Sequence, residues 1–311
     1  LNTKLFGTKL KGLVAATHTP FSANGQLNIG VIEKQAEHLL RAGVNAVFVG
    51  GSTGESHSLM VDERLALVKR WSEVVRSTNQ QLIVHVGSNC LSDAKIMAAH
   101  AQSCGAVAIS ALAPSYFKPK SMRCLIDCCA EIAGAAPSLP FYFYDIPVLT
   151  GVSFSMPDFL GLAPERISNL VGLKFTNPDL MAYQKCLRVS DGRFDIPWGV
   201  DEYLLAALAC GAIGGVGSSY NFAAPVYNRL IQAFQRGDWH GAREEQYRSV
   251  QLIDLLARYG YMGAAKTLMG FLGVDVGTPR LPNSSLTVEE QKELRLGLEQ
   301  LGFFDWILGD W

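Results

Sequence analysis

A lysine stands inside an apolar run, Val171-Gly172-Leu173-Lys174-Phe175-Thr176. Lysine is almost never fully buried without a partner. An amine held in an apolar wall loses hydration. That favours its neutral, nucleophilic form, which condenses with a carbonyl to give a Schiff base. The competing reading is a side chain that reaches solvent or pairs with a carboxylate. The apolar neighbours favour the chemical reading. A second candidate lies in Tyr142-Phe143-Tyr144-Asp145-Ile146-Pro147. Strand period puts Tyr142 and Tyr144 on one face and Phe143 on the other. On a face that meets substrate, the Tyr144 hydroxyl can carry a proton; otherwise the ring is ordinary aromatic packing.

Three glycine-rich stretches carry further polar groups. Gly50-Gly51-Ser52-Thr53-Gly54-Glu55-Ser56 offers backbone amides and the Ser52 and Thr53 hydroxyls, which suit a small carboxylate. The same residues also suit a tight strand-to-helix turn. No lysine follows the glycine, so this is not a nucleotide P-loop. Trp198-Gly199-Val200-Asp201-Glu202 places two acids after a glycine. They can accept hydrogen bonds from substrate hydroxyls, or favour the first turn of a helix through its dipole. Gly214-Gly215-Val216-Gly217-Ser218-Ser219 is a third such turn. The six histidines lack metal-site spacing such as H-E-x-x-H, so no metal is expected.

The elements that must position these groups are legible as apolar runs. Gly12–Thr17, Ala46–Val49, Leu82–Val86, Ala106–Leu112, Phe141–Tyr144, Val171–Phe175, Phe194–Trp198 and Ala212–Val216 are continuous rather than alternating. That is the pattern of strands buried on both faces. Between them lie helical periods, among them Ile29–Ala42, Asp62–Arg76, and Ser92–Ser103 with Ser92 as N-cap. Eight strands alternating with helices predict an α/β fold, a closed (β/α)8 TIM barrel, with functional groups at the C-terminal ends of the strands. After the eighth run only helices follow, at Trp239–Tyr259, Gly263–Leu272 and Thr287–Leu301. The break at Gly237-Asp238 predicts a barrel over 1–237 and a small C-terminal helical domain over 238–311.

Charge is nearly balanced over the 311 residues, with 27 Lys and Arg against 28 Asp and Glu, for a net of -1. Such a balance gives no basic surplus for nucleic acid and little repulsion against self-association. No apolar run approaches the length of a membrane helix. Leu1–Lys11 lacks the apolar core of a signal peptide. The seven cysteines are odd in number and form no C-x-x-C, so we expect buried free thiols in a reducing cytoplasm.

Taken in order along the chain, Gly51-Ser52-Thr53-Gly54-Glu55, Tyr144-x-Ile-Pro, Gly172-Leu173-Lys174 and Gly214-Gly215-Val216-Gly217-Ser218 resemble the pyruvate-dependent class I aldolases of the dihydrodipicolinate synthase and N-acetylneuraminate lyase superfamily. The likeness runs from about Gly12 to about Leu272. It implies a (β/α)8 barrel with a helical C-terminal domain, assembled as a homotetramer. Lys174 would form the imine with the keto carbon of pyruvate, Ser52 and Thr53 would hold the pyruvate carboxylate, and Tyr144 would act as acid and base. No cofactor is implied, because the protonated imine is itself the electron sink.

Within that superfamily, the synthase branch carries an arginine two residues after the proline, where this chain has Leu149. An apolar side chain makes no bidentate contact to a second substrate carboxylate. Leu149-Thr150-Gly151 and Gly199-Val200-Asp201-Glu202 resemble the lyase branch. In that branch Gly199, Asp201, Glu202, Thr176 and Ser218 would meet the sugar chain. The resemblance implies reversible cleavage of N-acetylneuraminate to N-acetylmannosamine and pyruvate. A related aldolase or hydro-lyase of another 2-keto-3-deoxy sugar acid is the alternative, followed by dihydrodipicolinate synthase. Departures are Phe117 in Tyr116-Phe117, where the synthase branch has two tyrosines, and Asp145 after Tyr144.

Overall fold

The computed structural model describes residues 9–308; most of Leu1–Lys11, read above for a signal-peptide core, lies outside that range. Strands β1 (Gly12–Ala16), β2 (Ala46–Val49), β3 (Gln81–His85), β4 (Ala108–Leu112), β5 (Phe141–Asp145), β6 (Leu170–Phe175) and β7 (Gly214–Gly217) form one parallel sheet. Its order is β6-β5-β4-β3-β2-β1-β7, so each strand from β1 to β5 lies beside its successor and β7 lies beside β1. Helices cross between them: α1 (Ile32–Arg41), α2 (Val61–Arg76), α3 (Leu91–Ser103), α4 (Met122–Gly134), α5 (Pro147–Thr150), α6 (Met156–Leu162), α7 (Leu180–Cys186) and α8 (Leu204–Cys210). After β7 the chain is helical: α9 (Tyr220–Gln235), α10 (Trp239–Arg258), α11 (Tyr261–Phe271), α12 (Val288–Leu301) and α13 (Phe303–Ile307).

One of the eight expected strands is not a strand. Phe194–Trp198 makes only single bridges, from Asp195 to Gly172 and from Trp198 to Phe175 and Gly215. The reason is Pro197. It has no N–H to give, so the ladder is broken in its middle. The segment still joins the two ends of the sheet. Leu173 N donates to Asp195 O and Phe175 N to Pro197 O, both at 3.0 Å, while Trp198 N donates to Gly214 O at 3.0 Å and Val216 N to Trp198 O at 2.7 Å. A second expectation also fails: Cys90 stands at the N-cap of α3 without a side-chain cap, and Ser92 lies inside the first turn.

Alternation along each strand divides the core in two. Val14, Ala16, Ala46, Phe48, Tyr142 and Tyr144 belong to a cluster on the inside of the curled sheet. Leu13, Ala15, Val47, Val49, Phe141 and Phe143 face the helices in a larger cluster. Tyr142 and Tyr144 thus share a face, opposite Phe143, as the strand period requires. Leu173 and Phe175 also belong to the helix-facing cluster. Lys174 between them therefore points inward. Residues of α10, α11 and α12, including Leu252, Leu268 and Leu294, join the same outer cluster. The thiol expectation holds only in part. All seven cysteines are free, and Cys129 and Cys186 are buried, but Cys90 and Cys124 are exposed.

Gly172 is needed where β6 meets the bridging segment, because a β-carbon there would collide with the Asp195 carbonyl oxygen. Gly172→Ala should therefore push the segment off the sheet and lower stability by ~1–3 kcal/mol or more. Urea unfolding of the variant against the parent measures this.

Candidate active site

Lys174 is 5% exposed. Its Nζ lies 3.6 Å from the centre of the Tyr144 ring and 4.9 Å from that of Phe48. Among the described residues no carboxylate lies within ion-pair distance of it. The pairing register puts Tyr144 directly beside Lys174 across β5 and β6. Two aromatic faces are the immediate surroundings of the amine. The Tyr144 hydroxyl lies 3.3 Å from Ser52 Oγ. Amine, phenol and serine hydroxyl, drawn from β6, β5 and the loop after β2, thus meet at one end of the sheet.

That loop is shaped by what glycine permits. Gly50 has φ +71, and a β-carbon on Gly54 would press against Gly50 and the Thr17 carbonyl oxygen. The glycines therefore make the tight turn, and the half-buried Ser52 and Thr53 supply the hydroxyls at its tip. Glu55 is a functional neighbour that motif reading left unassigned. It adopts a left-handed φ of 53, uncommon for a residue with a side chain. Its carboxylate turns away from the amine: Oε1 lies 2.7 Å from Lys266 Nζ on α11, with both side chains fully buried, and Oε2 accepts from Arg280 N at 2.8 Å. Arg280 also donates to Glu63 Oε2 at 2.7 Å. The ion pair holds the strained residue in place.

The acids after Gly199 divide. Asp201 is buried and accepts from Ser219 N at 2.9 Å and from Ser219 Oγ. A β-carbon on Gly217 would occupy the place of its carboxylate. Burial pushes its pKa up to about 6, against the opposing hydrogen bonds from Ser219. Asp201 is thus a brace for the turn after β7 as well as an acid near the site. Glu202 is half-buried on the same turn of 3-10 helix. Thr176 follows Lys174 at the strand end, and its Oγ1 is buried without a partner. It fills the space that a β-carbon on Gly199 would need. Ser218 Oγ lies 2.8 Å from the hydroxyl of Tyr261, the first residue of α11. Tyr261 went unnoticed in the sequence because it lies in a helix far along the chain, with no motif around it. Among the described residues no cluster of ligands could hold a metal ion.

A family model described as the dihydrodipicolinate synthetase family matches residues 9–301. The chain belongs to this family. It is similar to N-acetylneuraminate lyase A of Xenopus laevis, 41% identical over 280 residues that cover 89% of this chain and 91% of the relative. It is also similar to N-acetylneuraminate lyase of Xenopus tropicalis, 40% identical over 299 residues, 95% of this chain and 98% of the relative. Among solved structures, that of the N-acetylneuraminate lyase (sialic acid aldolase) from Aliivibrio salmonicida superposes with a TM-score of 0.93 at 41% identity, covering 96% of this chain and 98% of that one.

For this dihydrodipicolinate synthetase family member, Asp145, a departure noted in the sequence, and Phe175, the neighbour of Lys174, both fall away from the amine. Asp145 lies one step from Tyr144 along β5, and its Oδ2 accepts from Asn177 Nδ2 at 3.3 Å. Phe175 stacks on Trp198 with ring centres 5.9 Å apart. Leu149 is 64% exposed on the short α5.

Burial pushes the Asp145 carboxyl up to about 6 from 3.8, partly offset by the Asn177 hydrogen bond. Between those values the folded chain holds this proton more tightly than the unfolded chain. Its contribution to stability therefore falls as pH rises through that window, and above it remains a constant cost. Asp145→Asn should exceed the parent in stability at pH 7.5, by up to ~3 kcal/mol. The advantage should vanish near pH 4, as denaturant midpoints at the two pH values would show.

Proposed function

We propose that this chain reversibly cleaves N-acetylneuraminate to N-acetylmannosamine and pyruvate through an imine on Lys174. The observation that carries the reading is a buried, carboxylate-free lysine under a tyrosine ring, with a serine hydroxyl 3.3 Å from that tyrosine's oxygen. The likeness to N-acetylneuraminate lyases of 40–41% identity over most of the chain supports the substrate.

Lys174 Nζ attacks the keto carbon of the open-chain sugar acid, and loss of water leaves a protonated imine. Tyr144 takes the proton of the hydroxyl on the carbon to be released. The carbon–carbon bond breaks, and its electron pair flows into the imine to give an enamine, while N-acetylmannosamine leaves as the aldehyde. The enamine carbon takes up a proton, and water hydrolyses the imine to free pyruvate and Lys174. The imine is the electron sink, so the step calls for no cofactor. Ser52 and Thr53 with their amides bind the carboxylate at the keto end. The orphaned hydroxyl of Thr176, with Gly199, Asp201, Glu202 and Ser218, meets the sugar hydroxyls.

We further propose the closed (β/α)8 arrangement, residues 195–198 standing in for the seventh strand, over 1–237, with 238–311 as a helical appendage. Tyr116 and Phe117, 78% and 86% exposed and packed edge to face, supply an apolar surface for self-association into a tetramer. No described helix is long and apolar enough to cross a membrane. Seven unpaired cysteines favour a cytoplasmic setting.

Pyruvate release from N-acetylneuraminate, read by coupling to lactate dehydrogenase, tests the reading. Lys174→Ala should abolish both turnover and borohydride-trapped imine. Tyr144→Phe should lower kcat by ~100-fold or more while leaving imine trapping measurable. Release that survives Lys174→Ala would refute the mechanism. Absence of release from the parent, with pyruvate still trapped as imine, would move the substrate to another 2-keto-3-deoxy sugar acid. Leu149→Arg should lower kcat/KM for N-acetylneuraminate; an unchanged value would show that this position does not face the substrate.

A further inference from the structure

His85 closes β3 and is buried beneath the site. Its Nδ1 lies 2.8 Å from the carbonyl oxygen of Gly50. Arg64 Nη2 also lies near Nδ1, at 3.3 Å, but the Gly50 carbonyl is closer and only accepts, so Nδ1 carries the proton and Nε2 is a bare lone pair. That Nε2 is buried and finds no partner. Burial, reinforced by the nearby Arg64 charge, pushes the ring's pKa well below 6.5, which keeps it neutral in this tautomer. Arg64 is itself buried and donates to His85 O and Gly87 O, both at 2.8 Å, gripping the strand end from behind. The imidazole stands edge-on to the Tyr144 ring, with centres 5.7 Å apart at 87°. One side chain therefore touches both the first carbonyl of the Gly50–Glu55 loop and the phenol ring that covers Lys174.

We infer that His85 is a positioning residue for the pyruvate-binding loop, its Nδ1–H holding the Gly50 carbonyl while its ring edge sets the plane of Tyr144. The inference rests on the proposed pyruvate chemistry and deepens it. A trans peptide is planar, so a fixed Gly50 carbonyl fixes the Gly51 N–H in the opposite direction. The backbone at Gly50 is in the left-handed region and has no side chain to anchor it. A hydrogen bond from outside must hold that peptide plane, and the His85 ring makes one. With the plane held, the amides and hydroxyls of Ser52 and Thr53 keep one orientation before any carboxylate arrives, which is preorganisation of an anion site.

The test compares the parent with His85→Asn, His85→Gln and His85→Leu. Its readout is the pyruvate concentration that half-saturates borohydride trapping on Lys174, with kcat for cleavage measured beside it. Counted in bonds from the backbone, the asparagine amide nitrogen stands where Nδ1 stands, and the glutamine one where Nε2 stands. Leu and Gln, once shown folded by their thermal transitions, should raise half-saturating pyruvate by about ten-fold for the lost hydrogen bond. Asn should stay within about three-fold of the parent, since it keeps the donor. Folded Leu or Gln variants that bind pyruvate like the parent would overturn the inference, as would a folded Asn variant as weak as Leu. In both cases normal trapping in the parent leaves the pyruvate chemistry standing. A parent that traps no pyruvate would remove that chemistry and this inference together.

Discussion

An amine must be taken into the inside of the sheet without a carboxylate to meet it, and the rest of the site is arranged around that requirement. A carboxylate within contact would hold the lysine as a stable ion pair and compete with the keto group for it. Instead the Tyr144 and Phe48 rings give the side chain polarisable faces and exclude water from its flanks. Glu55, in the loop after β2, is taken up by its buried pair with Lys266. Asp201 is occupied by Ser219 behind the end of β7. Glu55 and the Oδ2 of Asp201 are thus tied into the frame.

The loop after β2 shows how backbone and side chain share one task. Glycine is required at Gly50 by its positive φ and at Gly54 by close approach to Gly50 and the Thr17 carbonyl oxygen. That freedom would let the loop wander in a free peptide. It is restrained from three directions. Thr19 Oγ1 donates to Gly54 O at 2.6 Å, His85 holds Gly50, and the Glu55 ion pair pins the far end.

Much of this was legible in the sequence, for reasons that differ by residue. Lys174 stood out because charge inside an apolar run is rare; strand alternation set it opposite Leu173 and Phe175, and their packing against the helices shows that it points inward. The same alternation separated Tyr144 from Phe143. What escaped were contacts between distant segments. His85 reads as one more histidine without metal spacing, and its meaning depends on Gly50, 35 residues away in the chain. Lys266 and Tyr261 lie in a helix whose pattern shows only its own amphipathic face. The seventh strand was overcounted because apolar content was visible while the missing amide of Pro197 carried no weight in a hydropathy pattern. The N-cap of α3 was misplaced because serine is a frequent cap, yet the turn starts two residues earlier at Cys90.

The buried pair of Glu55 and Lys266 has a consequence for how the molecule comes apart. Removing one partner strands an uncompensated charge in the interior, at a cost of about 3–5 kcal/mol. Peeling α11 away from the sheet does just that, and it takes Tyr261 from Ser218 in the same movement. Opening of α11 is therefore tied to the loop after β2. Amide protons of α11 should share their opening free energy with those of the loop after β2, so that hydrogen exchange would register the two as one block.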